Sequence, residues 1–260
     1  MPSDLGIERD LANVLGCPVD RLGMDGTVER CRELIEEGGV ARQVSVNAAK
    51  LIALREDDRL REIVAGCEII NADGQSVVWA SRLLRDPLPE RVAGIDLMNR
   101  LLELAEHHGY GVFFLGATRP VLERAVARIR DRHPRLRVTG FRDGYFAPEE
   151  EGAVRAEIRA AAPAILFVAM SSPRKEYWVA DNADDVHGLV MGVGGALDIV
   201  AGDVRRAPGW IQRLGFEWLY RLVQEPGRLW RRYLTTNARF LLLLAREEIG
   251  RARGYPRTSW

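Results

Sequence analysis

The chain has 260 residues, 47% hydrophobic and 28% charged, and its 37 basic side chains balance 37 acidic ones. That length suffices for one large domain, or one domain with an appendage, and the composition excludes disordered, collagen-like and disulfide-scaffold classes. Its three cysteines, Cys17, Cys31 and Cys67, form no CxxC pair. They read as free thiols of a reducing compartment and argue against a cysteine-based zinc site.

The first 40 residues read as a preface with one short helix around Val28–Glu37. They open on MPSDLGIERDL, which lacks the basic region and apolar run of a secretory signal. From residue 41 short apolar runs alternate with amphipathic stretches. The expected strands are Gln43–Val46, Glu68–Ala72, Gly111–Leu115, Arg137–Thr139, Ala164–Ala169 and Gly188–Gly192. Several are continuous Val/Ile/Phe runs without polar alternation, as parallel strands covered on both faces require. The helical stretches between them carry start and stop signals. IDLMNRLLELAEHHG repeats apolar residues at helical spacing and stops at Gly109, and RPVLERAVARIRDRH has proline in its first turn. PEEEGAVRAEIRAAA opens on three glutamates suited to the positive end of a helix dipole. The expected fold class is therefore α/β, a Rossmann-like, mostly parallel sheet with flanking helices, and ligands belong outside the carboxyl ends of its strands.

After Gly202 the texture changes to a helical pattern interrupted at Pro208 and Pro226, with no strand candidate. The expected division is an α/β body over 1–204 and a helical appendage over 205–260. From Arg205 onward 12 Arg face four Glu, a net of +8, so the body carries −8, and four of the six Trp also lie in this tail. A basic, Trp-rich segment on an acidic body points to an anionic partner: a phosphate, a nucleic acid or a membrane surface. The most apolar stretch, FLLLLA from Phe240 to Ala245, is too short to span a bilayer, so the expectation is a soluble or peripheral protein.

The chemistry is expected in the loops after the strands. Asn47 follows the first strand and either caps the next helix or lines a pocket. Asp73, in Asn-Ala-Asp-Gly after EII, either caps the following helix or serves as a general base with a raised pKa. Gly116 opens a small-residue turn whose backbone N–H groups could meet phosphate. Asp143 lies in Gly-Phe-Arg-Asp-Gly-Tyr-Phe, which suits a base or sugar pocket, or an ordinary turn. The loop from Met170 to Trp178 places Arg174 and Lys175 at a strand mouth, where an anion could sit, or forms a solvated basic turn. Asp198 closes the glycine turn from Gly192. That turn lacks the third glycine of GxGxxG, because Leu197 stands there, so dinucleotide binding is unsupported. No Walker lysine motif, GxSxG elbow, HExxH or Asp-x-Asp pair occurs, and the four histidines are scattered.

Eight segments occur in order: VSVNAAK, INADG, RVAGIDL, FFLGA, GFRDGYF, SSPRKEYW, MGVGGALDIVAG and RRAPGW…EWLYRL…EPGRLWRRYL. Together they resemble the WecG/TagA/CpsF family of bacterial glycosyltransferases, glycosyltransferase family 26, from about residue 20 to 248. The resemblance implies inverting, metal-independent transfer without a cofactor, from a UDP-sugar carrying N-acetylmannosamine, its uronic acid or another hexose. It implies a polyprenyl-diphosphate-linked acceptor, peripheral attachment to the cytoplasmic face of the cell membrane, and a role in teichoic acid, common antigen or exopolysaccharide synthesis. By position it makes Asp73 the general base, and Ser45, Asn47, Arg91 and Asp198 pocket residues. It makes Arg221, Arg228 and Arg231 a diphosphate clamp. The fifth loop departs from the family pattern: Lys175 stands where a glutamine is usual, so a cation replaces a ligand-contacting amide, and a carboxylate-bearing donor or acceptor would suit it.

Without a metal, positive side chains must meet the departing diphosphate, and Arg228, Arg231 and Arg232 share one helix face at i, i+3 and i+4. The rival reading is a non-catalytic nucleotide- or nucleic-acid-binding module. The strand-end carboxylates Asp73, Asp143 and Asp198 would repel a phosphate backbone, so no nucleic-acid partner is expected.

Overall fold

The computed structural model describes residues 9–184, 186–213, 215–224 and 226–252, with the side chains of 213, 221, 226, 228, 229, 231–233 and 252 left undescribed. All six expected strands form. They are β3 (Val40–Val46), β4 (Ile69–Ala72), β5 (Val112–Gly116), β6 (Val138–Arg142), β7 (Ile165–Ala169) and β8 (Gly188–Gly192). They pair in parallel in the order β4-β3-β8-β7-β5-β6.

Strand parity sets the layers, because successive side chains point to opposite faces. Val112 and Phe114 of β5, Ile165 and Phe167 of β7, and Leu189 and Met191 of β8 face one side. There they meet helices α1 (Met24–Glu37), α5 (Gly94–His108), α6 (Arg119–Arg132) and α9 (Ala196–Ala201). On the other face Val44 and Val46 of β3 and Ile70 and Ala72 of β4 meet α2 (Ala48–Glu56), α3 (Asp58–Ala65) and α4 (Gln75–Leu83). Phe113, Leu115 and Leu166 of that face meet α7 (Glu151–Ala161) and α8 (Arg174–Asn182). The result is a three-layer α/β/α arrangement, the expected class. The caps are those the sequence suggested: Gly109 ends α5 in the left-handed region, and Pro120 sits in the first turn of α6.

Two expectations need correction. The preface contains an antiparallel hairpin, β1 (Leu11–Val14) and β2 (Cys17–Asp20), before a longer α1 that starts at Met24. Its two-residue turn places Leu15 and Gly16 at φ 54° and 90°, as a tight hairpin demands. Asp20 Oδ2 then accepts a 2.7 Å bond from Ile70 N–H, engaging the outer edge of β4. In the second correction, β6 continues through Arg142, so Gly140, Phe141 and Arg142 belong to a strand at the far edge of the sheet.

After β8 the described chain is helical: α10 (Gly209–Arg213), α11 (Glu217–Gln224) and α12 (Pro226–Ala252). Helix α12 packs on α2, where Phe240 is buried and Leu243 and Leu244 lie half-buried against the core of that face. The ion pair Arg239–Glu56 flanks this contact.

Candidate active site

The sheet delivers a polar cluster to the carboxyl ends of β3 and β4. Gln43 and Ser45 of β3 and Asn71 of β4 have the parity of the α1/α5 face, and Asp73 continues it. Three of these groups hydrogen-bond in a row, with Gln43 Nε2 donating to Asn71 Oδ1 (3.0 Å) and to Ser45 Oγ (3.2 Å). Asn71 Nδ2 in turn donates to Thr27 Oγ1 (3.0 Å), and Thr27, Gln43 and Asn71 are buried. Buried polar groups held in this way fix where Ser45 presents its hydroxyl.

Asp73 does not cap α4, whose N-cap is Gly74 without a side-chain bond. Its N–H donates to Val46 O (2.8 Å), and its Oδ1 accepts from Gly94 N–H (3.1 Å), the first residue of α5. Its other oxygen, Oδ2, accepts no hydrogen bond among the described residues. Burial is the main cause that raises its pKa, and Glu217 adds to it; the Gly94 bond, Arg91 and Lys175 pull the other way without reversing it. A half-buried carboxylate with one oxygen fixed and a raised pKa has the properties of a general base.

Asn47 does cap its helix, accepting from Lys50 N–H (3.0 Å), and its Cβ lies next to the backbone of Gly74. The cap reading of Asn47 holds, and it places this residue beside the Asp73 loop. Gly94 also adjoins Ser45, since a Cβ there would lie 3.6 Å from Ser45 Oγ.

Three charges form the next wall. Lys50 Nζ donates to Glu176 Oε1 at 2.5 Å, and Lys175 Nζ stands 3.5 Å from the same oxygen. The Lys50 and Glu176 side chains are 5% and 4% exposed, that of Lys175 14%. Burial and the neighbouring Lys50 lower the Lys175 pKa, against the pull of Glu176 and Asp73. Burial would raise the Glu176 carboxyl, but the two lysines, with a hydrogen bond from Ser172, outweigh it and hold it below the usual range. The stem of Lys175 lies over Gly192, where a Cβ would come within 2.9 Å of its Cε. The glycine turn after β8 is therefore a seat for this side chain.

Arg91 is engaged by the C-terminal helix α11. Its Nη1 donates to Glu217 Oε2 (2.9 Å) from α11, with the two side chains 15% and 20% exposed. Arg206 lies 3.6 Å from Glu217 Oε1 through its Nε and makes a two-pronged bond to Asp96 in the first turn of α5, 2.6 Å on each arm.

The remaining expected residues stand apart. Gly116 ends β5 at φ 122° and lies against the backbone of Ala169. Asp143 accepts from Tyr145 N–H (3.2 Å) in a turn, and Asp198 lies in the first turn of α9. All three are at carboxyl ends of the sheet, but Gly116 ends β5 and Asp143 follows β6, toward the opposite edge from β4 and Asp73. The side chains of Arg221, Arg228 and Arg231 lie outside the described residues; their backbones belong to α11 and α12. Sequence reasoning missed Lys50, Glu176, Gln43, Arg206 and Glu217, whose partners are distant along the chain. Gly94 and Asp96 were inside the RVAGIDL segment without being singled out.

Among the described residues no three His, Cys, Asp or Glu side chains cluster as metal ligands would, and no helix is long and apolar enough to cross a membrane. The site thus holds a strand-end carboxylate in the field of Arg91 and Lys175, with a C-terminal helix bonded to Arg91 through Glu217. The sequence matches the glycosyl transferase WecG/TagA/CpsF family over residues 12–254, nearly its whole length, and the chain belongs to that family of glycosyltransferases, enzymes of cell-surface polysaccharide synthesis.

Proposed function

We propose that this enzyme moves a sugar from a UDP donor to a lipid-linked saccharide with inversion, using Asp73 as the base. The carrying observation is Asp73 itself: one oxygen held by Gly94 N–H, the other without a hydrogen bond among the described residues, and a raised pKa. In this reading Oδ2 takes the proton of the acceptor hydroxyl as its oxygen attacks the anomeric carbon. The bond from that carbon to the diphosphate breaks, and UDP leaves with the electron pair. The cationic groups Arg91 and Lys175, with Arg221, Arg228 and Arg231 on the appendage, would meet the growing negative charge of the leaving group. The donor sugar is of the N-acetylmannosamine type, its uronic acid or another hexose. The acceptor is a polyprenyl-diphosphate saccharide.

The setting is the cytoplasmic face of the membrane. Trp210, Trp218, Trp230, Leu234, Leu241 and Leu242 are exposed on α10–α12, an apolar set in an arginine-rich segment that suits a lipid surface. The test of the base is Asp73→Asn. Transfer should fall by about 10²-fold or more, while calorimetric UDP affinity stays within a few-fold. Retained turnover overturns the assignment.

A further inference from the structure

We infer that Glu217, on the C-terminal helix α11, is a positioning residue that keeps the Arg91 guanidinium off Asp73 and so leaves the base unpaired. This rests on the reading of Asp73 as the base. Val92 N–H donates to Ala72 O at 2.8 Å, so Arg91 and Asp73 sit at adjoining positions of the strand end, where a guanidinium and a carboxylate can form a strong charge-assisted pair. Here the arginine is turned elsewhere: Arg91 Nη1 donates to Glu217 Oε2 at 2.9 Å, whereas Asp73 accepts from Gly94 N–H. Glu217 is itself held. Arg206 approaches its other oxygen and is anchored to Asp96 on both arms. Asp96 and Gly94 share the first turn of α5, so one helix start fixes both the base and the group that draws Arg91 away.

The charged groups whose fields act on Asp73 are Arg91 from the segment before α5, Glu217 from α11 and Lys175 from α8, beside the bond from Gly94 N–H of α5. Neutralising Glu217 removes the one negative charge among them and frees Arg91 to pair with the carboxylate. Both changes lower the Asp73 pKa and weaken it as a base. Because Glu217 belongs to the C-terminal helices, a competent base then requires those helices in place.

The experiment is a steady-state pH profile of the full chain with UDP-sugar and lipid-linked acceptor, comparing wild type, Glu217→Gln, Glu217→Asp and Asp73→Asn. Glu217→Gln should lower kcat by at least about tenfold, change the donor KM less, and move the acidic limb of the kcat profile to lower pH. Glu217→Asp, which keeps the charge, should restore most of kcat and leave the acidic limb near its wild-type position. In an Arg91→Met background, Glu217→Gln should shift that limb by less than in wild type. A folded Glu217→Gln enzyme with unchanged kcat and acidic limb overturns the inference. So does an equal shift with Arg91 removed. If Glu217→Gln fails to fold, a displaced acidic limb in Glu217→Asp overturns it. An active Asp73→Asn enzyme removes the base assignment instead, which separates the two failures.

Discussion

Replacing Glu176 by glutamine should cost far more stability than replacing Lys50 by methionine, although the two residues are partners. Both side chains are almost fully buried, and both lysines approach the single oxygen Glu176 Oε1. Glu176→Gln leaves two ammonium groups together without the carboxylate they share, and breaking a buried pair in that way costs about 3–5 kcal/mol. Lys50→Met removes one charge-assisted hydrogen bond but leaves Glu176 with Lys175, so the cost should be about 1.5–3 kcal/mol. For a chain of this size 1 kcal/mol moves Tm by roughly 2–4 °C, so the two variants should differ by several degrees.

The pH dependence follows from Lys175, whose pKa is already lowered by burial and by Lys50 and should fall further without Glu176. Between that depressed value and the ordinary 10.5 of lysine, the unfolded chain binds more protons than the folded one, so stability rises with pH. The defect of Glu176→Gln should therefore shrink as pH rises above neutrality. Urea unfolding at three pH values measures both effects. Equal costs for the two variants, or a Glu176→Gln defect that deepens with pH, would refute the shared-counter-ion account.

Asp73→Asn should raise the Tm near neutral pH, because the raised pKa means that ionised Asp73 opposes folding above its ordinary value of 3.8; the gain should vanish toward acid pH, and calorimetry at pH 4 and 7 checks it. Gly116→Ala should destabilise by about 2 kcal/mol or more, since its Cβ would stand 2.4 Å from Ala169 O at φ 122°. Gly192→Ala meets the flexible stem of Lys175 instead, so it should displace that lysine and alter donor KM with little loss of Tm. Serine in place of Trp218 and Trp230 should reduce co-sedimentation with anionic vesicles and leave UDP affinity unchanged; equal binding would count against the lipid surface.

The sheet was legible because its strands are short apolar runs, and burial on both faces leaves no other use for ILFVA or VFFL. The hairpin was not: its turn is Leu15-Gly16, and leucine at positive φ gives no turn signal, although Asn13 Oδ1 accepts the Gly16 N–H. Edge strand β6 ran past its expected end because its residues are only half-buried, which blurs the boundary between strand and loop. At the site, spacing located Asp73 but could not choose between cap and base. The structure removes the cap of α4, since Gly74 holds that place and Asp73 Oδ1 goes to Gly94 N–H, 21 residues on. Arg91–Glu217 and Lys50–Glu176 each join residues 126 positions apart, and no periodicity carries such a pairing.

Among the described residues, two of the contacts that hold the C-terminal helices to the sheet-forming part of the chain differ in chemistry. One is polar, where Arg206 grips Asp96 and Glu217 grips Arg91; the other is apolar, where Phe240 enters the face of α2. Positions 221, 228 and 231 fall between these anchors along the chain, on α11 and the start of α12. The polar anchor depends on charge, so raised salt or loss of Glu217 should loosen α11 first, while Phe240 keeps α12 on α2.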